Sequence, residues 1–164
     1  MAHRPSWGDP GSKVTRLTRA TVYSAGQRAV IVTVYPDEMR DTQRSKVYAW
    51  ETTVLRAEDD DEMPFDECGA LVAKAWRSCG AGNAPTVSDG RCSRSGHYSV
   101  YEHNIRLPRF ARRRWYVLHE VAHGLTRVGP AHGPAWCACY ADLLQRFGGW
   151  TAVRRSMRAW GIKI

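Results

Sequence analysis

The sequence predicts an α+β fold in which a small antiparallel sheet packs against helices. One central helix carries the segment His119-Glu120-Val121-Ala122-His123. Apolar residues recur at helical spacing in five stretches, and short β-rich runs broken by turn residues lie between the second and the third. A chain of 164 residues, 43% of them hydrophobic, is long enough to bury one core. The helical stretches are residues 37–57, 65–79, 112–125, 134–147 and 150–160.

The first 38 residues are predicted to be an extension that precedes a domain of residues 39–164. Residues 1–12 are rich in Pro, Gly, Ser and Asp, a composition typical of disorder. Two β-rich runs, residues 19–23 and 29–35, flank a turn-forming segment and indicate a β-hairpin. Because a two-stranded hairpin is marginal alone in water, it must pack on the domain or be held loosely.

The helices before the motif are predicted from their apolar faces. In the first, Val47, Trp50, Val54 and Leu55 are spaced to face a core. The acidic run Glu58-Asp59-Asp60-Asp61-Glu62 follows and is interpreted as a solvated connector. The second helix, Phe65 to about Cys79, has an inner face formed by Cys68, Leu71, Val72, Ala75 and Trp76.

Residues 86–107 are predicted to form strands separated by turns at Asp89-Gly90 and at residues 93–96. The stretch from His97 to Leu107 is interpreted as one extended strand beside the motif helix, able to line a cleft and pair with a substrate backbone. His97, His103 and Asn104 could face that cleft. The alternative, which we favour, is that they are ordinary polar residues on the wet face of a strand.

The motif itself indicates a metal centre. Residues four apart lie on the same face of a helix, so His119 and His123 can bind one metal ion through neutral imidazole nitrogens. Glu120 follows about 100° round the helix, where a base could take a proton from a metal-bound water. The plain alternative is a helix that happens to carry two surface histidines and a glutamate.

A catalytic zinc ion takes three protein ligands and leaves a fourth position open, so the motif needs a third ligand. We expect His132, because Pro134 suits the first turn of the next helix and would hold this histidine rigidly. Asp142 on that helix is the alternative ligand, or a residue that orients a ligand imidazole.

Two helices are predicted after the motif. The first has an apolar face and ends at Gly148-Gly149; the second runs from Trp150 to about Trp160. The face of the first contains Trp136, Cys139, Tyr140, Leu143, Leu144 and Phe147. In the second, Val153, Met157 and Trp160 are expected to point inward.

Composition limits the partners. The formal net charge is +8, and most of the basic residues are arginine, as at Arg112-Arg113-Arg114 near the start of the motif helix. Arginine suits phosphate contacts, but a GC-rich coding sequence gives the same excess, so nucleic-acid binding is an open alternative.

No apolar run is long enough to span a membrane and the N-terminus lacks a signal-peptide core, so we expect a cytoplasmic protein. Five cysteines without a Cys-x-x-Cys pair favour apolar packing over a disulfide framework.

His-Glu-x-x-His followed by His132-Gly133-Pro134 resembles the zincin metallopeptidases, especially the SprT-like arrangement. The wider pattern is similar to a family of small metallohydrolases from bacteria and their phages. It adds Arg40-Asp-Thr-Gln-Arg44 with Val47-Tyr48, and Ile105-Arg-Leu-Pro108. This resemblance covers roughly residue 39 to the C-terminus, and we assign no mechanism to the Arg-Asp-x-Gln-Arg element.

The resemblance implies a zincin-like domain that binds one Zn²⁺ per chain through His119, His123 and His132, with Glu120 as general base. Peptide hydrolysis of a protein or peptide substrate is the expected reaction. Tyr116, Tyr140, Arg127 and His103 are candidates for the donor to the developing oxyanion. Two alternatives stay open: a SprT-like protease acting at DNA, and a zinc-stabilised interaction module without turnover.

Overall fold

A computed structural model describes residues 41–91, 93–126 and 131–164. The predicted extension of residues 1–38, with its hairpin, lies outside these residues, as does most of the turn predicted at residues 127–131. Within the described part of the chain the protein is mixed α+β, as predicted.

The first helical segment contains a wide turn that the sequence did not indicate. It consists of α1 (Arg44–Trp50), a π-helical turn (Glu51–Leu55) and α2 (Arg56–Glu58). Its inner face includes Val47, Trp50 and Leu55, as predicted, but also Glu51, which is 4% exposed. A π-helical turn adds one residue to the helical repeat and is frequent at functional sites. Here it lies where a carboxylate enters the core.

Helix α3 (Phe65–Ser78) agrees with its prediction, and all five residues of the expected inner face are buried. The motif helix α4 (Arg114–Leu125) is central: it contacts α3, the strands β2 and β3 described below, and the helix that follows it. It is buried on most of its circumference, including both His119 and Glu120. A helix surrounded in this way holds its side chains in fixed positions.

The sheet is mixed, so the prediction of an antiparallel sheet is wrong. Its strands β1 (Thr86–Asp89), β2 (His97–Ser99) and β3 (Asn104–Leu107) are ordered β1-β3-β2. β3 pairs in parallel with β1 and antiparallel with β2. The physical reason is that β2 and its turns lie between β1 and β3 in sequence and provide the long connection that a parallel pair requires.

The stretch from His97 to Leu107 is two arms of a hairpin rather than one extended strand. Tyr98 is opposite Ile105 and Ser99 is opposite Asn104. The chain reverses at residues 100–103, where His103 has a φ of 47°. Left-handed conformations at non-glycine residues are commonest for Asn, Asp and His, which permits the reversal here. Among the described strands, β2 lies at an edge of the sheet.

Helix α5 (Pro134–Leu143) begins with proline in its first turn, as predicted, and continues as a π-helical turn (Leu144–Gly148) that ends at Gly149. Its buried face includes Cys137 and Ala141, whereas Cys139 and Phe147 are only partly buried. Helix α6 (Val153–Ala159) buries Val153 and Met157. Trp160 is 38% exposed, so its predicted inward position is wrong.

Among the described residues, no helix combines the length and the apolar character needed to cross a bilayer.

Candidate metal centre

Helix α4 brings two histidines together at the floor of a cleft. Residues three and four apart share a helix face, and the Nε2 atoms of His119 and His123 lie 3.1 Å apart. Glu120 and Tyr116, on the same helix, also line this cleft. The sequence spacing alone therefore accounts for this half of the site.

His132 reaches the same point from a different segment. It precedes helix α5, is 3% exposed, and places its Nε2 atom 3.4 Å from Nε2 of His119. One ligand atom from each of the three histidines lies within 4.8 Å of the other two. The indole of Trp136 packs against this group, with its ring 4.7 Å from the rings of both His119 and His132.

Two carboxylates that the sequence reasoning missed hold the far side of these imidazoles. An oxygen of Glu51 lies 2.6 Å from Nδ1 of His119, and an oxygen of Asp41 lies 2.6 Å from Nδ1 of His132. A carboxylate on Nδ1 fixes the proton there and leaves the lone pair of Nε2 for a metal. The sequence signal for Asp41 was the Arg-Asp-x-Gln-Arg element. No sequence pattern indicated Glu51, because this residue lies in the π-helical turn, which the sequence did not predict.

Gln43, from the same Arg-Asp-x-Gln-Arg element, also contacts His132. Its side-chain amide donates to the carbonyl of His132 at 3.0 Å and accepts from the backbone N–H of Lys163 at 2.6 Å. The same amide donates to the carbonyl of Lys163 at 3.2 Å. Asp41 thus orients the imidazole of His132, while Gln43 fixes its backbone and attaches the C-terminal residues to it.

Two of the three separations between the ring nitrogens match the edge of a tetrahedral zinc site, and the third is within 4.8 Å. Zinc binds imidazole nitrogen at about 2.0–2.1 Å, and the edge of that tetrahedron is therefore about 3.3 Å. The observed Nε2 separations from His119 are 3.1 and 3.4 Å. Carboxylates hold the Nδ1 atoms of His119 and His132, so the lone pairs of their two Nε2 atoms face each other and repel. A cation between these nitrogens would replace that repulsion with attraction.

Burial disfavours the charged form of the three histidines, Glu51 and Glu120. It lowers the pKa of His119 to about 3 and that of His123 to about 2, so both imidazoles are in the neutral, metal-binding form at neutral pH. It also raises the pKa of both Glu51 and Glu120 to about 8. A divalent cation at the imidazoles would supply the positive charge that favours the ionised carboxylates.

Glu120 is positioned by the edge strand. The backbone N–H of Tyr98 donates to a carboxylate oxygen of Glu120 at 2.9 Å. Tyr98 also pairs with Ile105 of β3, while its N–H is directed at Glu120 of α4. The cleft beside them has a volume of about 430 Å³ and includes His97, Tyr48 and Arg44 in its wall.

Other residues considered from the sequence lie elsewhere. Asp142 forms an exposed ion pair with Arg154 at 2.8 Å, which argues against either of its proposed roles. His103 is bonded to the hydroxyl of Tyr98 and the carbonyl of Asn83, and Asn104 bonds to Ser88 and Thr86. His97 does line the cleft but is not among the three convergent histidines.

Of the four candidates for an oxyanion donor, the structure describes three, and they differ in whether their hydroxyl or ring faces the cleft. The hydroxyl of Tyr140 is buried and donates to the carbonyl of Trp115 at 3.1 Å. Arg127 lies outside the described residues. Tyr116 lines the cleft, and its oxygen accepts the N–H of Gly96 at 3.2 Å, which leaves its O–H to donate. Tyr116 is therefore the best placed of the four.

The arginines before α4 meet an acidic partner within the chain. Arg109 pairs with Glu62 at 2.9 Å, Arg113 pairs with Asp60, and Arg114 approaches Asp59 at 3.9 Å. The acidic run is thus bound to the start of the motif helix rather than simply solvated. These pairs use charge that a phosphate backbone would otherwise contact.

Comparisons of the chain with protein-family models, with curated proteins and with solved structures each found no match. The class that the fold and the site define is therefore a mixed α+β protein with a candidate metal centre of three histidines. Any functional assignment depends on the chemistry of this centre.

Proposed function

We propose that this protein is a zinc-dependent metallohydrolase with a zincin-like domain, and that it acts as a metallopeptidase on a protein or peptide substrate. The observation that carries the proposal is the convergence of His119, His123 and His132. Two of these histidines line an open cleft together with Glu120. A structural zinc site is closed by four protein ligands, whereas a catalytic site keeps a position open. Among the described residues only these three histidines converge.

Zn²⁺ held by the three histidines would supply a Lewis acid and lower the pKa of water to about 7. Glu120 accepts the proton from the water that attacks the carbonyl carbon of the scissile bond, and returns it to the leaving amine nitrogen. The N–H of Tyr98 holds the second carboxylate oxygen meanwhile. The hydroxyl of Tyr116 donates to the oxygen of the carbonyl as negative charge develops there.

The test measures zinc content and peptide cleavage for the purified protein and three variants. We expect one zinc per chain in the wild type, none or much less in His132→Ala, and full zinc without cleavage in Glu120→Gln. Tyr116→Phe should keep its zinc and lower kcat by about 10²–10³. Casein and a peptide library serve as substrates.

The outcomes separate the alternatives. Absence of zinc from the wild type would refute the metal centre. Zinc together with cleavage that persists in Glu120→Gln would refute the role of the base. Zinc binding with no cleavage of any library peptide would favour a zinc-stabilised interaction module.

A further inference from the structure

One positive charge in the metal cleft has no role in the reaction proposed above. Arg44 is exposed, begins helix α1, and is the one Arg or Lys among the described residues that line the cleft. Of the described acidic residues, only Glu120 shares this wall with it. The cleft therefore offers an incoming ligand a cation beside the metal-binding histidines.

Arg44 contacts the ring of Tyr48. The guanidinium carbon lies 5.3 Å from the centroid of the Tyr48 ring, within the range of a cation–π contact. The Tyr48 ring is in turn 5.2 Å from the ring of His132 and 5.8 Å from that of His119. The guanidinium is thus separated from the ligand histidines by one aromatic ring, a distance of up to about three residues of an extended peptide.

No carboxylate of the described residues forms an ion pair with Arg44, so its positive charge can bind a ligand. Arg109, Arg112 and Arg113 pair with carboxylates, but none of the ion pairs within the described part of the chain includes Arg44. A guanidinium has five N–H donors and matches a carboxylate with two parallel hydrogen bonds. Arg44 also forms a side-chain hydrogen bond with Tyr48, which uses part of this donor set, and the remaining N–H groups are left for a ligand.

We propose that Arg44 is a specificity-determining residue that binds a carboxylate of the substrate close to the scissile bond. The inference rests on the proposed peptidase function and narrows its substrate class to peptides with a carboxylate at a fixed distance from the cleaved bond. That carboxylate comes from an Asp or Glu side chain or from a free C-terminus. A peptide is favoured over a nucleic acid because a phosphate backbone is bound by several cations, and among the described residues Arg44 is the one Arg or Lys that lines the cleft.

The first arm of the test uses zinc-loaded full-length protein and two sets of linear hydroxamic acids, measured by calorimetry. One set ends in a carboxylate and the other in the matching amide, with chain lengths of about three to six methylenes. We expect one length of the carboxylate set to bind roughly tenfold or more tightly than its amide, since hydrogen bonds to charged groups are worth that much. Arg44→Gln should abolish the difference, and Arg158→Gln, an exposed arginine of α6, should preserve it.

The second arm identifies the source of the carboxylate. Peptide mixtures with free or amidated C-termini are digested by the wild type and by Arg44→Gln, and the cleavage sites are read by mass spectrometry. Sites at a fixed distance from Asp or Glu assign a side chain, and sites at a fixed distance from free C-termini assign the terminal carboxylate. Sites unrelated to any carboxylate overturn the proposal.

The two proposals fail in different ways. If both hydroxamate sets bind equally well, the metal centre stands and the role of Arg44 is wrong. If neither set binds to protein supplied with zinc, the metal centre fails and this inference fails with it. Displacement of the carboxylate ligand by a short single-stranded oligonucleotide, lost in Arg44→Gln, would assign the site to phosphate and overturn the proposal.

Discussion

At the scale of single residues, the candidate centre depends on carboxylates that do not touch the metal position. Asp41 and Glu51 each lie 2.6 Å from the Nδ1 atom of a ligand histidine. They decide which nitrogen carries the proton and how the ring is oriented, and outer partners of this kind commonly contribute 10–100-fold to metal affinity.

Replacement of Asp41 by Asn tests this role. The variant keeps the shape of the side chain and removes its charge, so we expect the affinity for zinc to fall by about 10–100-fold. The affinity is measured by competition with a chromophoric chelator. Asp142→Asn is the matched control, because Asp142 pairs with Arg154 on the surface. The zinc affinity of this control should equal that of the wild type. Equal affinities for both variants would contradict the assignment of Asp41.

At the scale of elements, the motif helix is positioned by close packing against α3 and β2. A Cβ atom at Gly124 would lie 2.6 Å from the ring of Trp76 and 3.2 Å from the ring of Tyr98. Trp76 is 1% exposed and cannot easily move away. The glycine therefore permits the contact that holds α4 against its neighbours, beyond any role near the end of the helix.

Two glycine substitutions separate helix propensity from packing. In a helix interior, alanine is favoured over glycine by about 1 kcal/mol. A Cβ atom added at Gly69 in α3 would meet no atom of another segment within 4 Å, so Gly69→Ala should stabilise the protein by about 0.4–1 kcal/mol. Gly124→Ala should instead destabilise it by about 1–3 kcal/mol, because overpacking outweighs propensity.

Urea denaturation gives the free energy of unfolding of both variants. A stabilised Gly124→Ala would show that the rings of Trp76 and Tyr98 rearrange at little cost. A destabilised Gly69→Ala would show that α3 is more crowded than its surroundings indicate.

At the scale of the whole molecule, contacts between segments distant in sequence assemble the site. Asp41 and Gln43 connect the start of the described chain to His132 and to Lys163. The acidic run binds the arginines before α4. The described residues belong to one compact unit that begins at Arg40.

Truncation tests which part of the chain this assembly needs. A variant of residues 39–164 retains every contact described for the centre, so we expect one zinc per chain and an unchanged unfolding midpoint in urea. A shorter variant that starts at Arg44 lacks Asp41 and Gln43, and we expect it to bind zinc at least tenfold more weakly and to unfold at lower urea. Loss of zinc from the longer variant would show that residues 1–38 contribute to the centre.

Much of the element pattern was predictable because it depends on local periodicity. The inner face of α3 and the proline start of α5 follow from residues near one another in sequence. The parallel pairing of β1 with β3 and the reversal at His103 were not predicted, since strand partners are chosen by the packing of the whole sheet.

The sequence by itself determined the α+β class. It also placed His119 and His123 on one helix face with Glu120 beside them, because the geometry of a single helix requires nothing from the rest of the chain. Only the tertiary structure decided that His132 rather than Asp142 joins them, and that Asp41 and Glu51 orient the imidazoles. It also decided that Arg44 faces the same cleft. These are contacts across many residues of sequence, and they are fixed by how the helices pack rather than by any local pattern.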